Sequence, residues 1–385
     1  MKKKTVLILG AGFGGLELAA RLSDDLADEV HVILIDHNDG FTFGFSKLDV
    51  LFANHTPEEV RIPYAELTRP GVEFRQEHIT SIDPATRRVA TDQSDYQTDI
   101  LVIALGADYE PEATPGFSED GHDFYTVDGA ARLRDRLTEF TGGTIVLGIL
   151  SVPFKCPPAP YEALLLLHAH LVERGIRDAA TIKVISPMPS PIPVSPETSE
   201  SLITAMAERG IIYRPDTKIR SLDPNQHLVH TDTDTVPYDL FIGIPKHRVP
   251  GVIDASGLTA GGSDGWIAVD PATLATKHAG VYAIGDCADA PVPRAGVYAE
   301  DAARTVAAHI AAQLHGTPFT AKYSGRGVCY IEFGDGQVGK VEADFLSGPK
   351  PTAPFIGPST DLADEKAEFA NTRRHRWFSR SEAER

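Results

Sequence analysis

Residues 5–36, TVLILGAGFGGLELAARLSDDLADEVHVILID, constrain this chain more than any other stretch. Residues 6–9 are an apolar run too short for anything but a buried strand. Gly10, Gly12 and Gly15 follow in G-x-G-x-x-G spacing, with Phe13 and Gly14 inside the turn, and residues 16–22 read as helix. A second apolar run, residues 30–35, ends in Asp36, 21 residues after Gly15. Strand, tight turn, helix, strand and acid in that order make a dinucleotide-binding unit. Gly10 permits the turn, Gly12 lets backbone approach a pyrophosphate, and Gly15 lets helix and strand pack closely. The helix N-terminus offers free N–H groups and a positive dipole end to the phosphates. Asp36 can accept from a ribose diol, and its charge would repel a 2′-phosphate. His37, next in the chain, is placed to touch the adenosine half.

The rest of the chain narrows the class. Its 385 residues suffice for two or three domains with ample core. A formal charge of −18 argues against nucleic acid as a partner, because phosphate binding needs clustered Lys and Arg. MKKK before VLIL has the look of a secretory leader, but the glycine turn stands where a cleavage region should be. We read it as strand one, expect no signal peptide, and place the protein in the cytoplasm. No window approaches 18 uninterrupted apolar residues, so no transmembrane helix is expected. Three cysteines, none in C-x-x-C, offer neither a disulfide scaffold nor a metal site.

Residues 37–74, rich in Phe and Gly, read as a loop and short helix leaving the first sheet. Residues 99–106, DILVIALG, form a buried strand closing on Ala104 and Gly106. The acidic, proline-bearing residues 107–121 mark a boundary. A second α/β unit opens with the strand GTIVLGI at 143–149, where a glycine turn should follow. Instead comes LSVPFKCPPAPYEALLLLHAH, whose prolines 153, 157, 158 and 160 lack N–H donors. The anion cradle of a second nucleotide site is therefore expected to be missing, with a cysteine in its place. His168 and His170 on the following helix read as core residues. Later, GVYAIGD (280–286) gives a strand, then Gly285 and Asp286. Ala295 and Gly296 open the next helix. Residues 325–345 read as a hairpin turning at Asp335-Gly336. The tail from Asp361 ends in a basic-aromatic patch: Arg373, Arg374, His375, Arg376, Trp377, Phe378 and Arg380.

The glycine turn, Ala104–Gly106 and GVYAIGD together resemble the two-dinucleotide-binding-domain flavoproteins, the glutathione-reductase-like superfamily. KCPPAPYE (155–162), GWIAVD (265–270), PRAGVYAE (293–300) and RGVCYIEFGDGQ (326–337) are most similar to sulfide:quinone oxidoreductases and the flavoprotein subunit of sulfide dehydrogenases. The resemblance implies an α/β fold with two Rossmann-like domains and a C-terminal interface region. Residues 1–110 with 264–320 would bind FAD, 111–263 would carry Cys156, and 321–385 would carry Cys329. It also implies that Cys156 and Cys329 meet as a redox pair beside the flavin, with Glu162 moving protons. Sulfide or a small sulfur donor would be oxidised and a quinone reduced. The family's extra cysteine is absent from residues 41–50 and 124–128, so the FAD is expected to be non-covalent. Cys156 precedes a helix beginning near Pro160 and adjoins Lys155, both of which favour thiolate. Cys287 reads as packing. The tail patch either meets lipid headgroups in peripheral membrane contact or caps the fold, and a homodimer stays open. The rival readings are an NAD(P)H-dependent quinone or disulfide reductase on the same fold and a non-enzymatic redox sensor.

Overall fold

The computed structural model describes residues 3–379. The opening motif folds as β1 (Lys4–Leu9), α1 (Phe13–Leu26) and β2 (Val30–Asp36), with Lys4 opposite Val30 and Leu9 opposite Ile35 in parallel register. β3 (Val72–Gln76) adds beside β2, and β4 (Ile100–Ile103) lies along the other edge of β1. All four residues of β4 are buried, as expected of a parallel strand covered on both faces.

The second unit comprises β5 (Gly121–His122), β6 (Gly143–Ile149), α2 (Ala159–Glu173), β7 (Ala180–Ile185), β8 (Ile211–Arg214) and β9 (Leu240–Ile244). Its parallel sheet runs β5-β9-β6-β7-β8. The chain then returns, and β10 (Val281–Ala283) pairs with β4 to complete the first sheet as β10-β4-β1-β2-β3. α3 (Gly296–His315) packs on α1. The hairpin of β11 (Arg326–Gly334) and β12 (Gln337–Asp344) turns through Asp335 and Gly336, which have φ of 53° and 70°. β13 (Phe355–Ser359) joins β12, and α4 (Asp361–Phe378) closes the described chain.

One segment differs from the sequence reading, and another takes one of the two roles read for it. Residues 107–121 are more than a linker, since Asp108–Glu110 pairs antiparallel with Lys246–Arg248. Local composition cannot reveal a partner so distant in the chain. The tail patch caps the fold as a helix, with Trp377 fully buried and Phe378 2% exposed, while Arg374 and His375 stay exposed. Of the patch, Arg380 lies outside the described residues. Among the described residues no helix is long and apolar enough to cross a membrane.

Candidate active site

The first sheet and α3 build one end of a cavity of about 570 Å³. Gly10 has φ of 102°, and a Cβ there would stand 2.3 Å from the Ala104 carbonyl oxygen. A Cβ on Gly15 would stand 1.9 Å from the Gly10 carbonyl, so helix and turn touch only because the side chain is missing. Gly10 and Gly15 shape the turn from behind, while Gly12, Phe13 and Gly14 line the cavity. Gly12 has nothing within 4 Å of its would-be Cβ, which leaves bare backbone facing the chamber. Ala104, Gly106, Gly285, Asp286, Ala295 and Gly296 line it as well. Neither α1 nor α3 has a side-chain cap at its N-terminus, so two uncapped helix ends open onto one space. That suits a pyrophosphate. A Cβ on Gly296 would lie 2.5 Å from the Phe13 ring, so Gly296 makes room for that ring.

Asp36 lines the far end. Its Oδ2 accepts from Ala11 N at 2.8 Å and its Oδ1 from Asn38 N at 2.9 Å, which aims the carboxylate and leaves lone pairs for a diol. His37 does not reach the cavity; its side chain is 67% exposed and its ring contacts His78.

The other end holds sulfur. Cys156, just before α2, and Cys329, on β11, both line the cavity as free, half-buried thiols. Glu162 stands with them, 2% exposed, with its Oε1 accepting from Glu332 N at 3.0 Å. Burial pushes its carboxyl up to about 7, against the pull of Lys366 and of that N–H. Such a group exchanges protons near neutral pH.

The thiolate expectation for Cys156 is overturned. Burial, then the Glu162 carboxylate, then Cys329 drive its thiol well above the ordinary value. Burial and Glu162 push Cys329 up to about 12. Lys155 does not aim its cation at the sulfur: Nζ donates to the Ala107 carbonyl at 3.0 Å and sits 4.5 Å over the Tyr109 ring. Adjacency in sequence misled because a four-carbon stem chooses its own direction. Cys287 is wholly buried behind Asp286, its Sγ facing the Ile284 and Ile103 carbonyls. His168 accepts from Arg177 Nε at 2.9 Å and His170 packs on Phe52, neither in the cavity.

Two lysines went unread in the sequence. Lys47, on the short helix Ser46–Leu51, lines the cavity and donates from Nζ to the Tyr125 carbonyl at 2.7 Å. Burial and the Lys155 charge bring its ammonium down to about 8, while Asp123, Cys156 and Asp286 pull the other way. Lys366, on α4, lines the cavity, pairs with Glu332 and sits 5.2 Å over the Phe45 ring. The first lies in a loop rich in Phe and Gly that nothing local marks as part of a site. The second lies in a tail that reads as merely polar.

Sulfur chemistry and a dinucleotide cradle therefore share one chamber, walled from both parallel units. That combination defines flavin-dependent oxidoreductases built on paired Rossmann folds. The chain belongs to the pyridine nucleotide-disulphide oxidoreductase family, whose model matches residues 4–315, and is an FAD-dependent oxidoreductase. It is 26% identical to the sulfide-quinone reductase of Aquifex aeolicus over 86% of this chain and 82% of that one. It is 24% identical to the mitochondrial sulfide:quinone oxidoreductase of Mus musculus over 91% and 80%. The solved Aquifex aeolicus sulfide:quinone oxidoreductase superposes with a TM-score of 0.84 at 22% identity, covering 98% of this chain and 92% of that one. A type II NADH:quinone oxidoreductase of Staphylococcus aureus is similar too, 23% identical over 90% and 92%.

Proposed function

We propose that this chain oxidises sulfide, or a related small sulfur donor, through Cys156 and Cys329, and passes two electrons by way of FAD to a quinone. The observation that carries the reading is the placement of both cysteines and Glu162 on the wall of the chamber that holds the dinucleotide cradle. Gly12 to Gly14, Ala295 to Val297, Asp36 and Asp286 would hold the cofactor, which supplies two-electron storage between donor and acceptor. The cysteines capture sulfur. Hydrosulfide attacking a Cys156–Cys329 disulfide leaves a persulfide on one residue and a thiol on the other, Glu162 giving the proton. Sulfide thereby gives two electrons to the disulfide. A second hydrosulfide attacking the persulfide's outer sulfur would carry it off as hydrodisulfide, leaving two thiols whose re-oxidation to the disulfide would pass the electron pair to bound FAD. Phe45, Tyr330 and Phe369 also line the chamber and offer flat apolar faces with Lys366 among them, which suits a quinone ring and its carbonyl. A quinone is lipid-borne, so we expect peripheral membrane contact, carried by residues other than the buried Trp377 and Phe378; co-sedimentation with liposomes checks it.

The second reading, reduction by NAD(P)H, is favoured by the Staphylococcus aureus relative. Against it stands the turn after β6. Lys155 N is spent on His247 Nε2 at 3.2 Å, Cys156 N on the Arg294 carbonyl at 2.7 Å and Ala159 N on the Cys156 carbonyl at 2.9 Å. Tyr161 is fully buried at the start of α2, and β7 runs out into Ser186 where an acid would hold a ribose. An anaerobic spectrum decides between them. Sulfide should bleach the flavin and NADH should not, and Cys156→Ser should keep FAD but lose bleaching by sulfide. Bleaching by NADH alone, or by sulfide in Cys156→Ser, refutes the proposal.

A further inference from the structure

The motif that this function leaves unused is the basic-aromatic tail. α4 spends it inside the molecule, on two buried carboxylates. Glu17 on α1 is wholly buried and Glu300 on α3 is 1% exposed. Glu17 accepts from Trp377 Nε1 at 2.7 Å and pairs with Arg376 at 2.7 Å, Arg304 at 3.0 Å and Arg21 at 3.1 Å. Glu300 pairs with Arg373 at 2.6 Å, Arg304 at 3.1 Å and Arg376 at 3.2 Å. Arg21 and Arg304 alone would balance the two acids. Arg373 and Arg376 from α4 make the cluster net positive. It lies one turn behind the N-termini of α1 and α3, the two uncapped ends that would face the cofactor's phosphates.

The aromatic half works on the same loop. Trp377 meets the Phe13 ring edge-on at 5.4 Å, the Phe41 ring at 5.4 Å, and stacks on Phe43 at 5.9 Å. Phe13 and Phe41 line the cavity. Phe13 is thus held between Trp377 and the bare Cα of Gly296. The first turns of α4 grip the Cys329 hairpin instead: Glu365 pairs with Lys340 at 2.6 Å and accepts from Tyr330 Oη at 2.8 Å, and Lys366 pairs with Glu332. One helix therefore ties the sulfur-bearing hairpin to the dinucleotide loop.

We propose that α4 is a strap whose docking and the binding of FAD are one coupled equilibrium, with Arg376 and Trp377 as positioning residues for the Gly12–Phe13–Gly14 loop. Undocking would withdraw two cations from behind the phosphates and free the Phe13 ring. By reciprocity, a filled cradle holds the strap down. The inference rests on the glycine loop being the FAD cradle.

The test is hydrogen exchange by mass spectrometry on the full chain, freed of flavin and refilled. Amides of residues 361–378 should exchange more slowly once FAD is bound. Arg376→Met should weaken FAD about tenfold, within the ~5–150-fold usual for coupled sites, and Arg376→Lys should restore most of it. Strap exchange indifferent to FAD, or Arg376→Met binding FAD as tightly as the parent, overturns the proposal. If Arg376→Met does not fold, the wild-type exchange comparison decides alone. A chain that binds no FAD at all would instead remove the reading beneath.

Discussion

Glu162 permits a prediction with a worked magnitude. Burial raises its carboxyl to about 7, while an ordinary glutamate titrates near 4.5. Between those two values the unfolded chain has released the proton and the native chain still holds it. The penalty for burying the group is therefore absent below about 4.5 and complete above about 7. At ~1.36 kcal/mol per pH unit, the gap amounts to about 3 kcal/mol. Glu162→Gln removes the charge but keeps an oxygen to accept from Glu332 N, so the packing survives. The stability difference between variant and parent should shift in favour of the variant by about 3 kcal/mol between about pH 4 and about pH 8, read from denaturant midpoints. Titrating groups that do not feel the Glu162 charge cancel in that difference, and the two thiols that do feel it titrate above this pH window. Infrared difference spectra should show one carboxylic acid, missing in Glu162→Gln, that disappears with a midpoint near 7. A Glu162 midpoint below about 5, inside the normal carboxylate range, would refute the reasoning, as would a stability difference that ignores pH.

Three further outcomes are expected. Removing the Glu162 charge should lower both thiols, so Cys156 and Cys329 in Glu162→Gln should react with iodoacetamide several-fold faster at about pH 8; equal rates by mass spectrometry would contradict the assigned cause. Lys47→Met takes an ammonium from the chamber and should raise the sulfide needed for half-maximal flavin bleaching several-fold, with Lys47→Arg close to the parent. Gly15→Ala sets a Cβ 1.9 Å from the Gly10 carbonyl. It should cost ~1–3 kcal/mol and release flavin, seen as recovered free-FAD fluorescence.

What could be read from sequence divides by distance along the chain. The Rossmann motif is local: strand, turn, helix and acid lie within one stretch, and Gly10 and Gly15 each report a contact that a Cβ would forbid. The Asp335-Gly336 turn was legible for the same reason, because hairpin chemistry is carried by two adjacent residues. The placing of Cys156 and Cys329 on one chamber wall is different. It depends on β11 passing beside α2, and only a family resemblance could place the two together. The thiolate expectation failed on a subtler point. A helix dipole and a neighbouring cation are visible in sequence, whereas the burial that outweighs them belongs to the whole chamber. The tail patch left two readings open, lipid contact or a cap on the fold, for the matching reason in reverse. Arg373, Arg376 and Trp377 look exposed until Glu17 and Glu300, each hidden inside another helix, are seen to face them.

Raised thiols narrow how the proposed sulfide oxidation would run. In a thiol-disulfide exchange the incoming hydrosulfide is itself the nucleophile, so the enzyme needs no resting thiolate. It needs a route for the sulfur that leaves, and a sulfur with a raised pKa leaves slowly unless it is protonated as the bond breaks. In the proposed reaction Glu162 would supply that proton: its carboxyl, up near 7, is still partly loaded at neutral pH, and its charge bears on both sulfurs. The burial that makes Cys156 and Cys329 poor thiolates also raises Glu162 into the range where it can serve them. An exposed glutamate, ionised at neutral pH, could accept a proton from the cysteines but would have none to give. The raised thiols and the raised carboxyl are thus one arrangement, and exposing the chamber to water would undo both together.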